Sequence, residues 1–412
     1  MSRIFTLFAL LLVAVPMMRG AVSFDQYFTD STLRVDYTLS GNARAQHIAV
    51  TDVQRSPGWG GRRVRLDSLP VQGDGQITVR DGRSGRVIYR QSLSTLFSEF
   101  LTYPEAQRPE ERTYECVMQV PMPRDTVIVT LDLRNKRHQV VATTTHEVDP
   151  RDILIRRTGE RPTWPAVVVQ QPADTAHCMR LTYVAEGYTH EQMPRFLADV
   201  KRCKDWLFEV EPFKSMQSRF MVIAVLSESA DSGASEPAKG LWRRTVLQSH
   251  WDTFYSSRYL TTEHVRGIYD LVAGYPTEHV IALVNSDRYG GGGIYGQYLL
   301  ATARNRYTQQ VVVHEFGHSF CGLADEYAYE SEELDAYPRD VEPWERNITT
   351  RVDFRGKWEH IAGAGFYEGA GYSLKGVYRA YPDCRMRSNV TPDFCKACQK
   401  AIADYIRFFT EP

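Results

Sequence analysis

The stretch that decides the fold is residues 311–327, which read VVVHEFGHSFCGLADEY. His314 and His318 are four residues apart, and four residues of an α-helix turn the chain by about 400°, so both imidazoles project from one face. Two neutral imidazole nitrogens on one face can bind a single Zn²⁺ ion at about 2.0–2.1 Å. Glu315 is then positioned to act on a metal-activated water rather than on the metal. The spacing therefore predicts a zinc site with Glu315 as the general base for attack on a carbonyl.

The neighbours of these histidines favour a metal site over a helix in which the histidines are only structural. Val311, Val312, Val313, Phe316 and Phe320 are apolar, so the segment is expected to be buried. Polar groups in a protein core need partners, and a metal ion would satisfy both imidazoles.

A third protein ligand is needed if one coordination position is to stay open for water. Gly322 is typical of a helix C-terminus in the left-handed conformation, which lets the chain turn back toward the metal. Asp325, seven residues after His318, is the preferred third ligand, and Glu326 is its main rival. The remaining candidates are His250, His264, His279 and His360.

Outward from this motif, residues 165–412 predict an α/β domain. Apolar strands are expected at 180–185, 220–226 and 279–284, and helices at 262–272 and after Thr189, where Gln192 completes a capping box. Alternating strands and helices are typical of an α/β layer.

Residues 22–150 predict an antiparallel β-sandwich that acts as an accessory domain. Apolar and polar residues alternate over 33–40, which indicates a strand with one solvated face. Hairpins are expected at 77–90 and 127–145. Residues 151–164 contain prolines and a glycine among charges and predict a linker. No catalytic cluster is evident here, because His47, His138 and His146 are scattered.

The charge balance limits the partners. Lys and Arg number 49 and Asp and Glu number 50, giving a net charge of −1. Nucleic-acid binding needs clustered positive charge, so nucleic acid is not expected as a partner. The sequence gives no indication of the oligomeric state.

The first residues predict export. Arg3 precedes an apolar run over residues 4–15, which is typical of a signal peptide covering residues 1–21, with an uncleaved anchor as the alternative. No other stretch is apolar enough to span a bilayer, so no membrane span is expected after signal removal. We expect a periplasmic, cell-surface or secreted protein.

The motif of residues 314–325 resembles the metzincin signature HExxHxxGxxH/D, with one extra residue before Gly322. Met386, within CRMR at 384–387, is the candidate for the methionine turn of that clan, with an ordinary core methionine as the alternative.

The closer resemblance is to the IgA-cleaving zinc metallo-endopeptidases of bacteria, carried by HEFGHSFCGLADEY (314–327), VAEGYT (184–189), RYLTTE (258–263) and CRMRSN (384–389). It implies a metzincin-like α/β zinc-peptidase domain in an α+β multidomain chain, with one catalytic Zn²⁺ on His314, His318 and Asp325 and with Glu315 as base. It does not identify the substrate as immunoglobulin.

Four further features leave alternatives open. The glycines at 290–293 are typical either of a substrate-binding edge strand or of a flexible loop. The acids between 326 and 345 favour a solvated loop over a structural Ca²⁺ site. Tyr327, Tyr372, Tyr378 and Tyr381 are candidate oxyanion donors, with core packing as the alternative. A disulfide between Cys384 and either Cys395 or Cys398 is a further hypothesis.

These patterns together predict an exported endopeptidase that hydrolyses peptide bonds in protein or peptide substrates, immunoglobulin A or other host proteins among them. Two alternatives remain. One is an inactive homologue that binds glycan or host protein, and the other is an amidase that acts on cell-wall peptides.

Overall fold

The computed structural model describes residues 20–330 and 336–411. Residues 1–19 of the predicted signal peptide therefore lie outside the described residues, as do Glu332, Glu333 and Asp335 of the acidic segment. Among the described helices, none combines the length and the apolar character that crossing a membrane requires.

The N-terminal region is rich in β-strands, as predicted. Its elements are α1 (Phe24–Tyr27), β1 (Phe28–Gly41), β2 (Gln46–Pro57), β3 (Gly75–Asp81), β4 (Val87–Leu93), α2 (Leu96–Phe100), β5 (Arg112–Pro123), β6 (Val127–Arg134), β7 (Val140–Val148) and β8 (Arg156–Arg157). One sheet has the order β5-β1-β2-β8 and the other β4-β3-β6-β7, and buried side chains of both sheets share one hydrophobic cluster. Strand β8 lies in the predicted linker and pairs with β2 in parallel.

The predicted solvated face of β1 is wrong. Arg34 and Asp36 point to that face and are 4% and 2% exposed. The Arg34 guanidinium pairs with Asp36 at 2.6 Å and also with Asp270 at 2.6 Å. Asp270 belongs to a helix of the C-terminal region, so the face is covered by another part of the chain and its polar groups are satisfied there.

The C-terminal region mixes strands and helices. Its elements are β9 (Ala166–Gln170), β10 (Met179–Glu186), α3 (Met193–Glu209), β11 (Phe220–Val225), α4 (Val265–Leu271), β12 (His279–Val284), β13 (Gly291–Ile294), β14 (Tyr298–Thr302), α5 (Thr308–Cys321), β15 (Ile348–Thr349), β16 (Tyr367–Ala370), β17 (Ser373–Arg379) and α6 (Lys396–Thr410). The capping box of Thr189 and Gln192 forms just before α3, as predicted.

The main sheet has the order β13-β14-β12-β10-β11-β9. Strands β10, β11, β12 and β14 are parallel, and the edge strands β9 and β13 run antiparallel to their neighbours. Ile281 and Leu283 of β12 pack in the cluster that contains α3, α5 and α6, whereas Val280 and Val284 pack in the cluster of the N-terminal region. Since successive side chains of a strand point to opposite faces, the sheet is held between the helices and the β-rich region.

Candidate active site

Helix α5 carries His314, Glu315 and His318 and packs against the glycine-rich edge strand β13. A Cβ atom on Gly293 would lie 2.4 Å from the carbonyl oxygen of Glu315, and one on Gly291 would lie 2.6 Å from a methyl group of Val311. The glycines are therefore required for this close approach. The edge-strand alternative for residues 290–293 agrees with the structure, since residues 291–294 form β13.

Gly322 ends α5 in the left-handed conformation, with φ of 68°, as predicted. The chain then reverses, and the amide of Asn347 holds the reversed segment through hydrogen bonds of 2.8 Å to both the N–H and the carbonyl of Ala324. The N–H of Glu326 donates to the carbonyl of Met386 at 2.8 Å. These contacts place Asp325 beside the two histidines.

Three candidate ligand atoms converge. Nε2 of His314 and Nε2 of His318 are 3.1 Å apart, and Oδ1 of Asp325 lies 3.0 Å from the first and 3.2 Å from the second. Three ligands placed about 2.0–2.1 Å from one tetrahedral ion would be about 3.3 Å from one another. The three atoms therefore form a triangle of nearly the size that a small divalent cation requires.

The remaining atoms of these side chains are held in place. Nδ1 of His314 donates to the carbonyl of Arg385 at 3.0 Å, and Nδ1 of His318 donates to the carbonyl of Leu323. Since each Nδ1 carries the hydrogen, each Nε2 is left with its lone pair for a metal. The Tyr372 hydroxyl donates to Oδ2 of Asp325 at 2.6 Å.

Electrostatics favour a charged cluster. Burial alone would lower the pKa of His318, but the Asp325 carboxylate outweighs it and raises this pKa to about 9. Burial opposes ionisation of Asp325, yet the two imidazoles hold its pKa well below the usual range. With no ion bound, His318 and Asp325 therefore form a buried ion pair, and a metal that binds here must displace the proton from Nε2 of His318.

Two family comparisons match nearly the whole chain. The model described as IgA Peptidase M64 matches residues 167–365 and 354–406, and the model described as Peptidase M64 N-terminus matches residues 23–145. The chain belongs to the IgA peptidase M64 family. No curated protein matches the chain. Membership supports peptidase activity and a metal cofactor, and it confirms the resemblance drawn from the sequence.

In this peptidase, Glu315 lies beside the metal candidates without joining them. Burial raises its pKa, and the backbone N–H of Gly293 donates to its carboxylate. Glu326, the rival of Asp325 for the place of third ligand, points elsewhere, into a buried group of cysteines, and accepts a hydrogen bond of 2.9 Å from Asn347.

The alternative histidines are engaged away from the three converging ligands. His250 bonds to the carbonyl of Trp251, His264 pairs with Glu115, and His360 lies close to Glu359. His279 is buried against the ring of Phe320.

Met386 packs directly beneath α5. A Cβ atom on Gly317 would lie 2.7 Å from its sulfur, and Met386 is fully buried.

Of the four candidate tyrosines, Tyr327 and Tyr372 line the site and share a hydrogen bond of 2.9 Å. Tyr378 packs on Phe366. The Tyr381 hydroxyl bonds to the carbonyl of Ala362.

A cleft of about 730 Å³ opens over the site, and the N-terminal region forms one of its walls. Glu99, next to the end of α2, faces His318, Glu315 and Asp325 across the cleft, and burial raises its pKa to about 7. The hydroxyl of Tyr259 donates to Glu99. Sequence reasoning missed Glu99, because no local motif marks a residue that reaches the site only through domain packing.

Most of the described acidic residues between 326 and 345, the candidates for a Ca²⁺ site, form ion pairs with lysine or arginine. Asp340 pairs with Arg137, Glu342 with Lys357, and Glu345 with Lys136. Asp340, whose side chain is exposed, agrees with the solvated-loop alternative, whereas Glu345, paired with Lys136, is buried and does not. The cysteines are all free thiols, so the predicted disulfide of Cys384 is not formed, although its sulfur lies 3.7 Å from that of Cys398.

Proposed function

We propose that this peptidase is an exported zinc-dependent endopeptidase in which His314, His318 and Asp325 hold the ion and Glu315 is the general base. The observation that carries the proposal is the triangle of Nε2, Nε2 and Oδ1 atoms, with sides of 3.0–3.2 Å, beside a carboxylate on the same helix. Two imidazoles and one carboxylate are a donor set that zinc accepts in hydrolytic sites that keep a position open. A zinc ion held there supplies Lewis acidity and acidifies water to a pKa of about 7.

The protein's own groups account for the rest of the chemistry. Burial raises the pKa of Glu315, which strengthens the carboxylate as a proton acceptor near neutral pH. Having taken a proton from water, Glu315 would return it to the leaving amine. Tyr372 holds Asp325 in its orientation through the 2.6 Å hydrogen bond.

Substrate positioning is assigned to β13. This strand is at the edge of the main sheet and contributes Gly291–Ile294 to the cleft. An edge strand offers backbone N–H and C=O groups to an extended peptide, and glycines let that peptide approach closely. The cleft is open and walled by both regions of the chain, which suits a segment of a protein substrate.

We also propose a metzincin-like arrangement for the C-terminal region. The parallel strands with an antiparallel edge strand, the zinc-binding helix and the buried Met386 under it support this assignment. Export rests on the sequence of residues 1–21, and immunoglobulin A as substrate rests on the family description.

The test is digestion of casein and immunoglobulin A by the mature chain and by Glu315→Gln, with zinc measured in both. We expect the variant to lose at least about 10²-fold in rate and to keep its ion. Glu160→Gln, at a side chain that is 66% exposed, is the matched control and should keep full activity.

The rival functions give different results. A binding protein would produce no new termini from any substrate, and a cell-wall amidase would cleave peptidoglycan fragments and leave both proteins intact. Equal rates for Glu315→Gln and the unaltered chain would refute the mechanism.

A further inference from the structure

A second cluster of metal-ligating side chains lies behind the active site. Glu326, Cys384, Cys395 and Cys398 are all buried, and their ligand atoms lie within 4.8 Å of one another. This group shares no residue with His314, His318 and Asp325.

The distance between two of the sulfurs matches a tetrahedral thiolate site. Sγ of Cys384 and Sγ of Cys398 are 3.7 Å apart, and Oε1 of Glu326 is 3.1 Å from Sγ of Cys398. Two sulfurs each about 2.3 Å from one tetrahedral zinc ion would be about 3.8 Å apart. By contrast, a disulfide would bring them to about 2.05 Å.

The scaffold is suited to hold thiolates. Cys395 is the N-cap of α6 and Cys398 lies in its first turn, so both are near the positive end of a helix dipole. Cys384 begins a tight turn in which its carbonyl accepts from the N–H groups of Arg387 and Ser388. Its sulfur accepts from the N–H of Cys395 at 3.1 Å.

The carboxylate of Glu326 gives a separate observation that points to a bound cation. Oε2 of Glu326 is buried and, among residues 20–330 and 336–411, has no hydrogen-bond partner. Glu326 itself is 0% exposed. A buried carboxylate oxygen without a partner is costly, and a cation between it and the three sulfurs would remove that cost.

A disulfide explains less of this arrangement. Joining Cys384 to Cys398 would leave Cys395 as a buried thiol and would not provide a partner for Oε2 of Glu326. A metal ion uses all four side chains. The charge left after binding a divalent ion is offset by the dipole of α6 and by Arg379, which interacts electrostatically with Glu326.

We propose that Glu326, Cys384, Cys395 and Cys398 form a structural zinc site. Three thiolates and a carboxylate with no open side toward solvent favour Zn²⁺ over Ca²⁺ or Mg²⁺. The ion joins three segments that meet under the active site: the loop of Asp325, the turn of Met386 and the start of α6. Its effect is to hold Asp325 and the carbonyl of Arg385 in place for His314.

The first experiment is zinc analysis of the full mature chain and its variants. We expect two ions per chain in the unaltered protein, and one each in His318→Ala and in Cys398→Ser. Cys203→Ser is the matched control, since Cys203 is a buried cysteine on α3 outside the cluster, and it should keep both ions. If Cys398→Ser does not fold, Glu326→Gln tests the same site by removing a different ligand. Outer-shell changes alone cost about 10–100-fold in metal affinity, so losing this ligand should cost at least as much.

The second experiment replaces zinc with Co²⁺. Thiolate-to-cobalt charge-transfer absorption is expected in the unaltered chain and in His318→Ala, and should be lost in Cys398→Ser. A single ion that disappears in His318→Ala, together with a mapped Cys384–Cys398 disulfide or three free thiols, would overturn the proposal. A single ion that survives in His318→Ala but disappears in Glu326→Gln would support this site and contradict the proposed catalytic centre.

Discussion

The hydroxyl of Tyr372 donates a 2.6 Å hydrogen bond to Oδ2 of Asp325, whose Oδ1 faces both histidines. This contact fixes which oxygen of Asp325 faces the two histidines, where we propose that the ion binds. Tyr372→Phe removes only the hydroxyl, so we expect zinc to be bound about 10–100-fold more weakly, with activity restored at high zinc. Chelator competition measures the affinity. Tyr381→Phe is the control, because that hydroxyl contacts Ala362. Equal affinities in the two variants would contradict the role assigned to Tyr372.

The contact between Gly293 and α5 gives a second prediction. A Cβ atom at this position would lie 2.4 Å from the carbonyl oxygen of Glu315, so Gly293→Ala must push β13 away from the helix. We expect at least a tenfold loss of kcat/KM toward protein substrates, since small displacements at a reacting centre cost up to about 10²-fold. Gly365→Ala is the control, because the nearest atom to a Cβ at that position is in a tyrosine side chain 3.3 Å away. Full activity of Gly293→Ala would show that β13 does not position substrate.

Lys136 joins the two regions of the chain. Its Nζ lies 3.3 Å from Asp74 and 3.4 Å from Glu345, and both carboxylates are almost fully buried. Lys136→Met leaves the two carboxylates without their cation, so we expect the free energy of unfolding to fall by about 3 kcal/mol. Urea denaturation measures the change. Lys375→Met removes a lysine that is 85% exposed and should have no measurable effect. A loss below about 1 kcal/mol for Lys136→Met would show that this network does not hold the regions together.

Local signals in the sequence predicted structural elements around helix α5 and the sheet behind it. The left-handed end at Gly322 and the capping box of Thr189 and Gln192 both formed as expected, because each depends on residues within one turn. The 3.6-residue repeat likewise places His314 and His318 on one face.

Features that depend on packing between distant segments were not predicted. The sequence favoured Asp325 over its neighbour Glu326 as third ligand, but no local signal distinguishes the two. In the structure, hydrogen bonds with Asn347 and Met386 orient the loop so that Asp325 faces the histidines. Glu99 enters the cleft from another region, and Arg34 is buried because a helix more than 200 residues later covers its strand. No window of local sequence contains these contacts.

His279 predicts how stability depends on pH. It is buried beside Phe320, and burial lowers its pKa from 6.5 to about 3. Between these values the unfolded chain binds one more proton than the folded chain, so the free energy of unfolding falls as the pH falls, by about 1.4 kcal/mol per unit. His279→Leu removes this contribution to the pH dependence of the free energy of unfolding, so the variant should be less destabilised by acid than the unaltered chain. Urea denaturation at pH 7, 6 and 5 with excess chelator measures the difference. Other groups, such as Glu278, whose pKa burial raises to about 8, contribute equally to both proteins. His360→Leu, at an exposed histidine, is the control, and parallel pH curves for His279→Leu and the unaltered chain would mean that His279 is protonated in the folded state.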